Sequence, residues 1–176
     1  YRIAIWDSQD GFPIDHEVSA AIRDVMKVLG DNGATLDTKA RPDFDANEAH
    51  RLYLQLLGAT FSANTDWKTA SEWHTHNRRS QQKLTELEGK LWKSDDIHFV
   101  LQHAVTQSHK QWHAADQHRN QIRLQWHSFF EKGFDAVLMP IYPCAAIKHD
   151  HTENDLINPH TLYGPFWRPN SRTIQV

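Results

Sequence analysis

The sequence predicts an α/β protein that contains a βαβ unit, long helices and a further buried strand. Two observations lead to this fold class. A strand, a helix and a second strand follow one another within residues 1–41. A helical region at 45–132 then leads into a short apolar run at 135–143, which two prolines end. Because consecutive parallel strands need a crossover helix, the first unit should have parallel strands.

The first unit starts with an apolar strand at residues 2–6, whose composition is typical of a strand buried on both faces. Asp15 is placed to cap the following helix. The apolar residues of that helix fall on one face: Val18, Ile22, Val25 and Leu29. Gly30 and Gly33 end the helix, and alternating apolar residues at 34–40 predict the second strand.

Residues 45–132 are predicted to be mainly helical. Asp45 and Glu48 have the spacing of a capping box at the start of this region. Ser94 is expected to cap a helix that, if unbroken to Lys132, would be about 57 Å long. Lys132 and Gly133 should end it, because a cation suits the negative end of the helix dipole and glycine accepts the left-handed cap.

The run at 136–139 is uniformly apolar, which predicts a central strand buried on both faces. Pro140 has no N–H to donate and should end the strand pairing. In open α/β sheets, ligands bind where loops follow the carboxyl ends of buried strands. We therefore predict that Met139, Ile141 and Tyr142 line a substrate pocket, the alternative being that they are ordinary core residues.

Composition and charge argue against several classes of protein. The net charge of -3 does not favour nucleic-acid binding. There is no apolar run of roughly 18 residues and no signal peptide, so no membrane association is expected. Cys144 is the single cysteine and cannot form an internal disulfide, which fits a reducing, cytoplasmic compartment.

The ends of the sequence are also informative. Ile3 already lies within an apolar strand pattern, and the last residues again look like the start of a strand, so we expect a segment of a longer protein. Residues 144–176 are rich in Asp, Asn, His and Pro and are predicted to form a surface loop. Unpaired strand edges would favour self-association into a homo-oligomer.

The thirteen histidines include pairs with metal-ligand spacing. His109 and His113 are four residues apart, which can place two imidazoles on one metal ion. Such pairs arise easily by chance in this composition, so a solvated helix face is the favoured interpretation. The same holds for His149 and His151, and Cys144 is interpreted as a small buried residue. No metal and no cofactor are predicted.

Several stretches together resemble the C-terminal portion of amidase-signature enzymes: residues 2–6, 18–29, 33–34, 40–45 and 126–143, the last with its Phe134-Asp135-Ala136-Val137-Leu138-Met139-Pro140 core. The resemblance implies a larger mixed-sheet α/β/α fold that hydrolyses a small-molecule carboxylic amide. It also implies a serine nucleophile, a second serine, a lysine base and a glycine-rich oxyanion loop.

This chain has no adjacent serines and no adjacent glycines, so the resemblance implies that catalytic residues lie outside it. None of its own residues is therefore assigned as catalytic. Met139 and Ile141 stand where the family often has Thr, which implies a more apolar pocket wall.

Two alternatives remain at this point. One is a helical protein-interaction module without catalytic activity, in which Trp67, Trp73 and Trp92 are exposed and bind a partner. The other is a nucleotide-binding α/β domain. The turn after the first strand has only Gly11 and lacks the glycine pattern that cradles phosphates, which disfavours the second alternative.

Overall fold

A computed structural model describes residues 1–63, 65–77 and 81–145 of the chain. Its elements, in chain order, are β1 (Arg2–Ile5), α1 (His16–Asp31), β2 (Thr35–Asp37), α2 (Ala46–Ser62), α3 (Trp67–Asn77), α4 (Gln81–Glu86), a 3₁₀ helix (Leu91–Lys93), α5 (Ile97–Ala104), α6 (His109–Glu131) and β3 (Ala136–Leu138). The described residues form two compact units, one of residues 1–41 with 134–145 and one of residues 42–133.

The first unit is built on a three-stranded sheet in the order β2-β1-β3. Both pairings are parallel, with Ile3 opposite Leu36 on one side and Ala136 on the other. The predicted βαβ unit is therefore confirmed. Its core lies between the sheet and α1, where Ile22 packs with the strand residues Ile3 and Ile5.

Helix α1 starts where the sequence predicts and ends within the predicted stretch, at Asp31, so that Gly30 is still helical. The carboxylate of Asp15 accepts a hydrogen bond from the Glu17 N–H at 3.0 Å, which caps the first turn. After the last turn, Gly33 has a φ of +85°, a conformation that glycine adopts without a steric penalty. The chain can therefore reverse into β2.

Strand β3 differs from its prediction. Within the described sheet it is an edge strand, and β1 takes the central place. Ala136 is exposed and Val137 and Leu138 are only half-buried. The prediction of a strand buried on both faces is wrong here, because a uniformly apolar run of this length does not distinguish a central strand from an edge strand.

The second unit is helical, with α2 packed against α5, α6 and the 3₁₀ helix. One core cluster joins Leu52 of α2, Trp92 of the 3₁₀ helix and Ala115 of α6. Helices α2 and α5 are in close contact at Gly58, where a Cβ atom would lie 2.3 Å from the Cβ atom of Ala104. Only glycine fits this crossing without displacing its neighbour.

The single long helix predicted from Ser94 to Lys132 is wrong, because the chain forms α5 and α6 with a break between them. Asp96, not Ser94, caps α5 by accepting from the Phe99 N–H. At the break, Ser108 accepts from the Gln111 N–H while the Gln111 side chain accepts from the Ser108 N–H. This capping box starts a new helix, and α6 alone spans about 35 Å.

Two helix boundaries in the second unit agree with the sequence. Asp45 caps α2 by accepting hydrogen bonds from the N–H groups of Asn47 and Glu48. The Glu48 carboxylate lies 3.0 Å from His118 Nε2 on α6. At the other end of the unit, Gly133 follows α6 with a φ of +90°, as the cap prediction requires.

Candidate functional site

The carboxyl edge of the parallel sheet carries a loop that is fixed at both ends. We call residues 139–143 the edge loop. Before it, the Trp6 N–H donates to the Leu138 carbonyl oxygen at 2.8 Å. After it, the Asp15 N–H donates to the Pro143 carbonyl oxygen at 2.6 Å, which ties the loop to the start of α1. The edge loop is therefore held against the first unit by main-chain bonds.

The three predicted substrate-binding residues all lie on this edge loop. Met139 is 48% exposed, Tyr142 is 51% exposed and Ile141 is fully exposed at 103%. They are not core residues in the described chain, so the alternative that the sequence left open is wrong. The structure places three large, exposed side chains on an anchored segment, and their role as pocket residues stays a prediction.

Strand β3 is held in register beside β1 by Asp135, a residue of the amidase-like stretch for which the sequence predicted no contact. The Asp135 N–H donates to the Arg2 carbonyl oxygen at 2.8 Å, and the Asp135 carboxylate accepts from the Arg2 N–H at 2.7 Å. The Arg2 guanidinium lies 4.0 Å above the Phe134 ring. The Phe134-Asp135 pair therefore positions the strand that leads into the edge loop.

Arg41 is a second residue for which the sequence predicted no role of its own. It follows the turn after β2 and precedes a proline. Its Nη1 atom donates to the carbonyl oxygens of Ile5 and Ala40, both at 2.8 Å, and to that of Thr38 at 3.2 Å. Its guanidinium carbon lies 5.3 Å from the centre of the Trp6 ring. Arg41 thus places a fixed positive charge at the carboxyl edge of the sheet.

Asp37, at the end of β2, stabilises the turn that leads to Arg41. The N–H groups of Lys39 and Ala40 donate to its Oδ1 atom, and these bonds are the main reason that the pKa of its carboxyl group lies below the ordinary value of 3.8. Its Oδ2 atom lies 3.6 Å from an Arg2 nitrogen. Asp37 therefore stays ionised and shapes the turn.

The histidine pairs with metal-ligand spacing were interpreted as solvated, and only one of them lies within the described residues. His109 and His113 lie on α6 with exposed side chains, and their rings stack with centroids 6.3 Å apart. Among the residues that the structure describes, no group of three or more His, Cys, Asp or Glu side chains could hold a metal ion. Cys144 is half-buried. His149, His151 and the predicted surface loop beyond Ala145 lie outside the described residues.

The three tryptophans proposed for partner binding do not behave alike. Trp67 is 91% exposed, whereas Trp92 is only 4% exposed and stacks on the His118 ring at 5.2 Å. Trp73 is half-buried. Of the three, only Trp67 is available on the surface, and the prediction that Trp92 is exposed is wrong because it is a core residue between α2 and α6.

The fold and site define a mixed α/β domain with an anchored loop at the carboxyl edge of a parallel sheet. The family model described as Amidase matches residues 1–164. The chain therefore belongs to the amidase family, a family of amidase-type hydrolases. No match was found among curated proteins or among solved structures. In the described parts of the chain, no helix has both the length and the apolar character needed to cross a membrane.

Proposed function

We propose that this chain is the C-terminal, non-catalytic segment of an amidase that hydrolyses a small-molecule carboxylic amide through a serine nucleophile outside residues 1–176. The observation that carries the proposal is the amidase family match over residues 1–164. The sequence itself supports the placement of the nucleophile, because it has neither adjacent serines nor adjacent glycines. An oxyanion loop needs closely approaching main-chain N–H groups, which adjacent glycines permit.

In this proposal the chain supplies part of a larger mixed sheet, its covering helices and one wall of the substrate pocket. The wall is the edge loop, with Met139, Ile141 and Tyr142 facing the substrate. Two observations support this role: the loop is anchored at both ends by main-chain bonds, and its side chains are exposed in the described chain. Apolar side chains on a fixed backbone lose little conformational freedom when a ligand binds.

The test uses the complete protein that carries this chain. It should hydrolyse simple carboxylic amides and should be labelled covalently by a fluorophosphonate, with hydrolysis lost in proportion to labelling. Mass spectrometry of the labelled protein should place the adduct on a serine outside residues 1–176. An adduct on a serine within these residues would refute the placement, and amide hydrolysis without any serine labelling would refute the serine mechanism.

The helical interaction module remains a second candidate because Trp67 is almost fully exposed. Aromatic residues of this kind are enriched at interface hot spots. Trp67→Ala should abolish capture of a stoichiometric partner if this alternative holds, with Trp112→Ala as a control on α6. Unchanged hydrolysis and unchanged assembly in both variants would leave the amidase proposal in place and exclude the module.

A further inference from the structure

The side chain of Arg41 is held in one orientation by the main chain around it. Nη1 makes all three of its hydrogen bonds to carbonyl oxygens, those of residues 5, 38 and 40. The Trp6 ring lies along the guanidinium at 5.3 Å. Arg41 is half-buried, its Nη1 atom is hydrogen-bonded and the Trp6 ring covers one side of its guanidinium. The guanidinium therefore has little rotational freedom. The direction of its remaining donors is therefore set by the fold.

Those remaining donors are Nε and Nη2. Within residues 1–63, 65–77 and 81–145, neither atom has a hydrogen-bond partner and no carboxylate pairs with Arg41. Asp37, the acidic residue that ends β2, already accepts hydrogen bonds from the N–H groups of Lys39 and Ala40. Arginine keeps its charge in proteins, so this edge of the sheet carries a permanent cation with two parallel donors available.

Arg41 and Leu138, the last residue of β3 before the edge loop, bind opposite sides of the same peptide group. The Ile5 carbonyl oxygen accepts from Arg41, and the N–H of the same peptide, on Trp6, donates to Leu138. Strands in a sheet lie about 4.8 Å apart, so the ends of β2 and β3 are separated by roughly 10 Å. A small molecule with polar groups at both ends can span that distance.

We propose that Arg41 binds a carboxylate group of the substrate through Nε and Nη2, so that the preferred substrate is an amide that also carries a carboxylate. A planar guanidinium edge matches the two oxygens of a carboxylate in a bidentate pair. The uncharged part of the molecule would then lie along the edge loop, on Met139 and Tyr142. This inference rests on the proposed amidase function for the identity of the ligand, but its binding step can be measured separately.

The experiment compares succinamate, which carries both groups, with butyramide, which lacks the carboxylate. Dissociation constants are measured by calorimetry for the complete protein and for Arg41→Met, Arg41→Lys and the control Arg23→Met. Arg23 is an exposed residue of α1 in the same unit. Arg41→Met should weaken succinamate binding by about 10- to 150-fold, the value of a charge-assisted hydrogen-bonded pair, and leave butyramide binding unchanged. The Arg23→Met variant should bind succinamate and butyramide with the same dissociation constants as the unchanged protein.

Arg41→Lys is the control for a folding defect in Arg41→Met, because the lysine cation can still donate to the Ile5 carbonyl oxygen. Lysine lacks the second parallel donor that a bidentate pair requires. The Arg41→Lys variant should be folded and still weakened for succinamate. In the unchanged protein, the Arg41 Nε–H resonance should move when succinamate is added and stay in place with butyramide. Equal affinity for the two compounds, or a resonance that does not respond, would overturn the inference.

The two proposals fail in distinguishable ways. Arg41-dependent binding of succinamate without hydrolysis of any amide would retain the carboxylate site and refute the amidase function. Hydrolysis of butyramide with no preference for succinamate would retain the amidase function and refute the carboxylate site.

Discussion

Asp135 and Arg2 exchange two hydrogen bonds across the start of the β1–β3 pair. One is a main-chain bond from the Asp135 N–H to the Arg2 carbonyl oxygen at 2.8 Å, and the other runs from the Arg2 N–H to the Asp135 carboxylate at 2.7 Å. The side chain thus continues the ladder one step before β3 begins. An edge strand of three residues has few other bonds to fix its register.

We expect Asp135→Ala to lower the free energy of unfolding by about 1 kcal/mol, because the Arg2 N–H loses its partner while the main-chain bond remains. Asp135→Asn keeps an acceptor oxygen and should cost less. Urea denaturation measures both, with Asp24→Ala on the exposed face of α1 as the control. If Asp135→Ala and Asp24→Ala have equal effects, the side-chain bond does not hold β3.

Gly58→Ala should destabilise the protein, although alanine is the better helix former. A Cβ atom at residue 58 would lie 2.3 Å from the Cβ atom and 3.0 Å from the carbonyl carbon of Ala104, so α2 and α5 must separate. Overpacking of this kind costs about 1–3 kcal/mol. The measurement is the midpoint of thermal or urea unfolding.

The matched control is Gly30→Ala in α1, where a Cβ atom would meet nothing within 4 Å. It should be neutral or slightly stabilising. The double variant with Gly58→Ala and Ala104→Gly should recover part of the loss, because the closest atom has been removed. Failure of the double variant to recover any stability would show that the clash with the Ala104 side chain is not the cause.

Ser108→Ala should destabilise α6 by about 1 kcal/mol through loss of its N-cap. Ser108→Asp should be tolerated, because a carboxylate can also accept from the Gln111 N–H. Circular dichroism measures the helix content of the Ser108→Ala and Ser108→Asp variants, and urea unfolding measures their free energies of unfolding. Increased helicity in Ser108→Ala would instead mean that the residue interrupts a helix that otherwise continues.

His50 should contribute a pH dependence to stability. Burial, together with the nearby Arg51, lowers the pKa of His50 in the folded protein below its ordinary value of 6.5. The unfolded chain therefore binds more protons at this residue as the pH falls below 6.5, and stability is lost from there down to the folded pKa. Above 6.5 the residue is neutral in both states and has no such effect.

The measurement compares the unfolding free energy of the unchanged protein with that of His50→Asn across this pH range. The loss on acidification should be smaller in the variant, while the difference between the two proteins should be constant above pH 6.5. Identical pH profiles would mean that His50 titrates alike in the folded and unfolded chains.

The local features of the fold were predictable because they depend on neighbouring residues. Asp15 and Asp45 cap the helices that follow them, and Gly133 ends α6, since caps depend on nearby N–H and carbonyl groups. The break before Ser108 was missed, because apolar residues keep the spacing of one helical face on both sides of it: Leu101, Ala104, Trp112 and Ala115. Its signal was present in the Ser108 and Gln111 spacing of a capping box.

The candidate site was only partly predictable, because it depends on contacts between residues that are distant in the sequence. The edge loop follows from prolines next to an apolar strand, but its exposure depends on which strands flank β3. Arg41 could not be found by pattern, because its partner at Ile5 is 36 residues away in sequence. Contacts of that separation depend on the strand order, which local periodicity does not specify.

Ile141 should matter for catalysis and not for stability. Its side chain is fully exposed in the described chain, so Ile141→Gln should change the unfolding free energy by less than about 0.5 kcal/mol. If the edge loop forms the pocket wall, the same substitution in the complete protein removes apolar contact with the substrate. An apolar contact of about one or two methylene groups corresponds to a roughly tenfold or larger change in kcat/KM.

The matched control is Val28→Gln, which changes an exposed apolar residue of α1 in the same unit. It should leave both stability and kcat/KM unchanged. The loss in Ile141→Gln should be larger for amides with long apolar acyl chains than for acetamide, because only the former reach the side chain. Equal kinetics for both variants and all chain lengths would place Ile141 outside the pocket and remove the edge loop from the proposed substrate site.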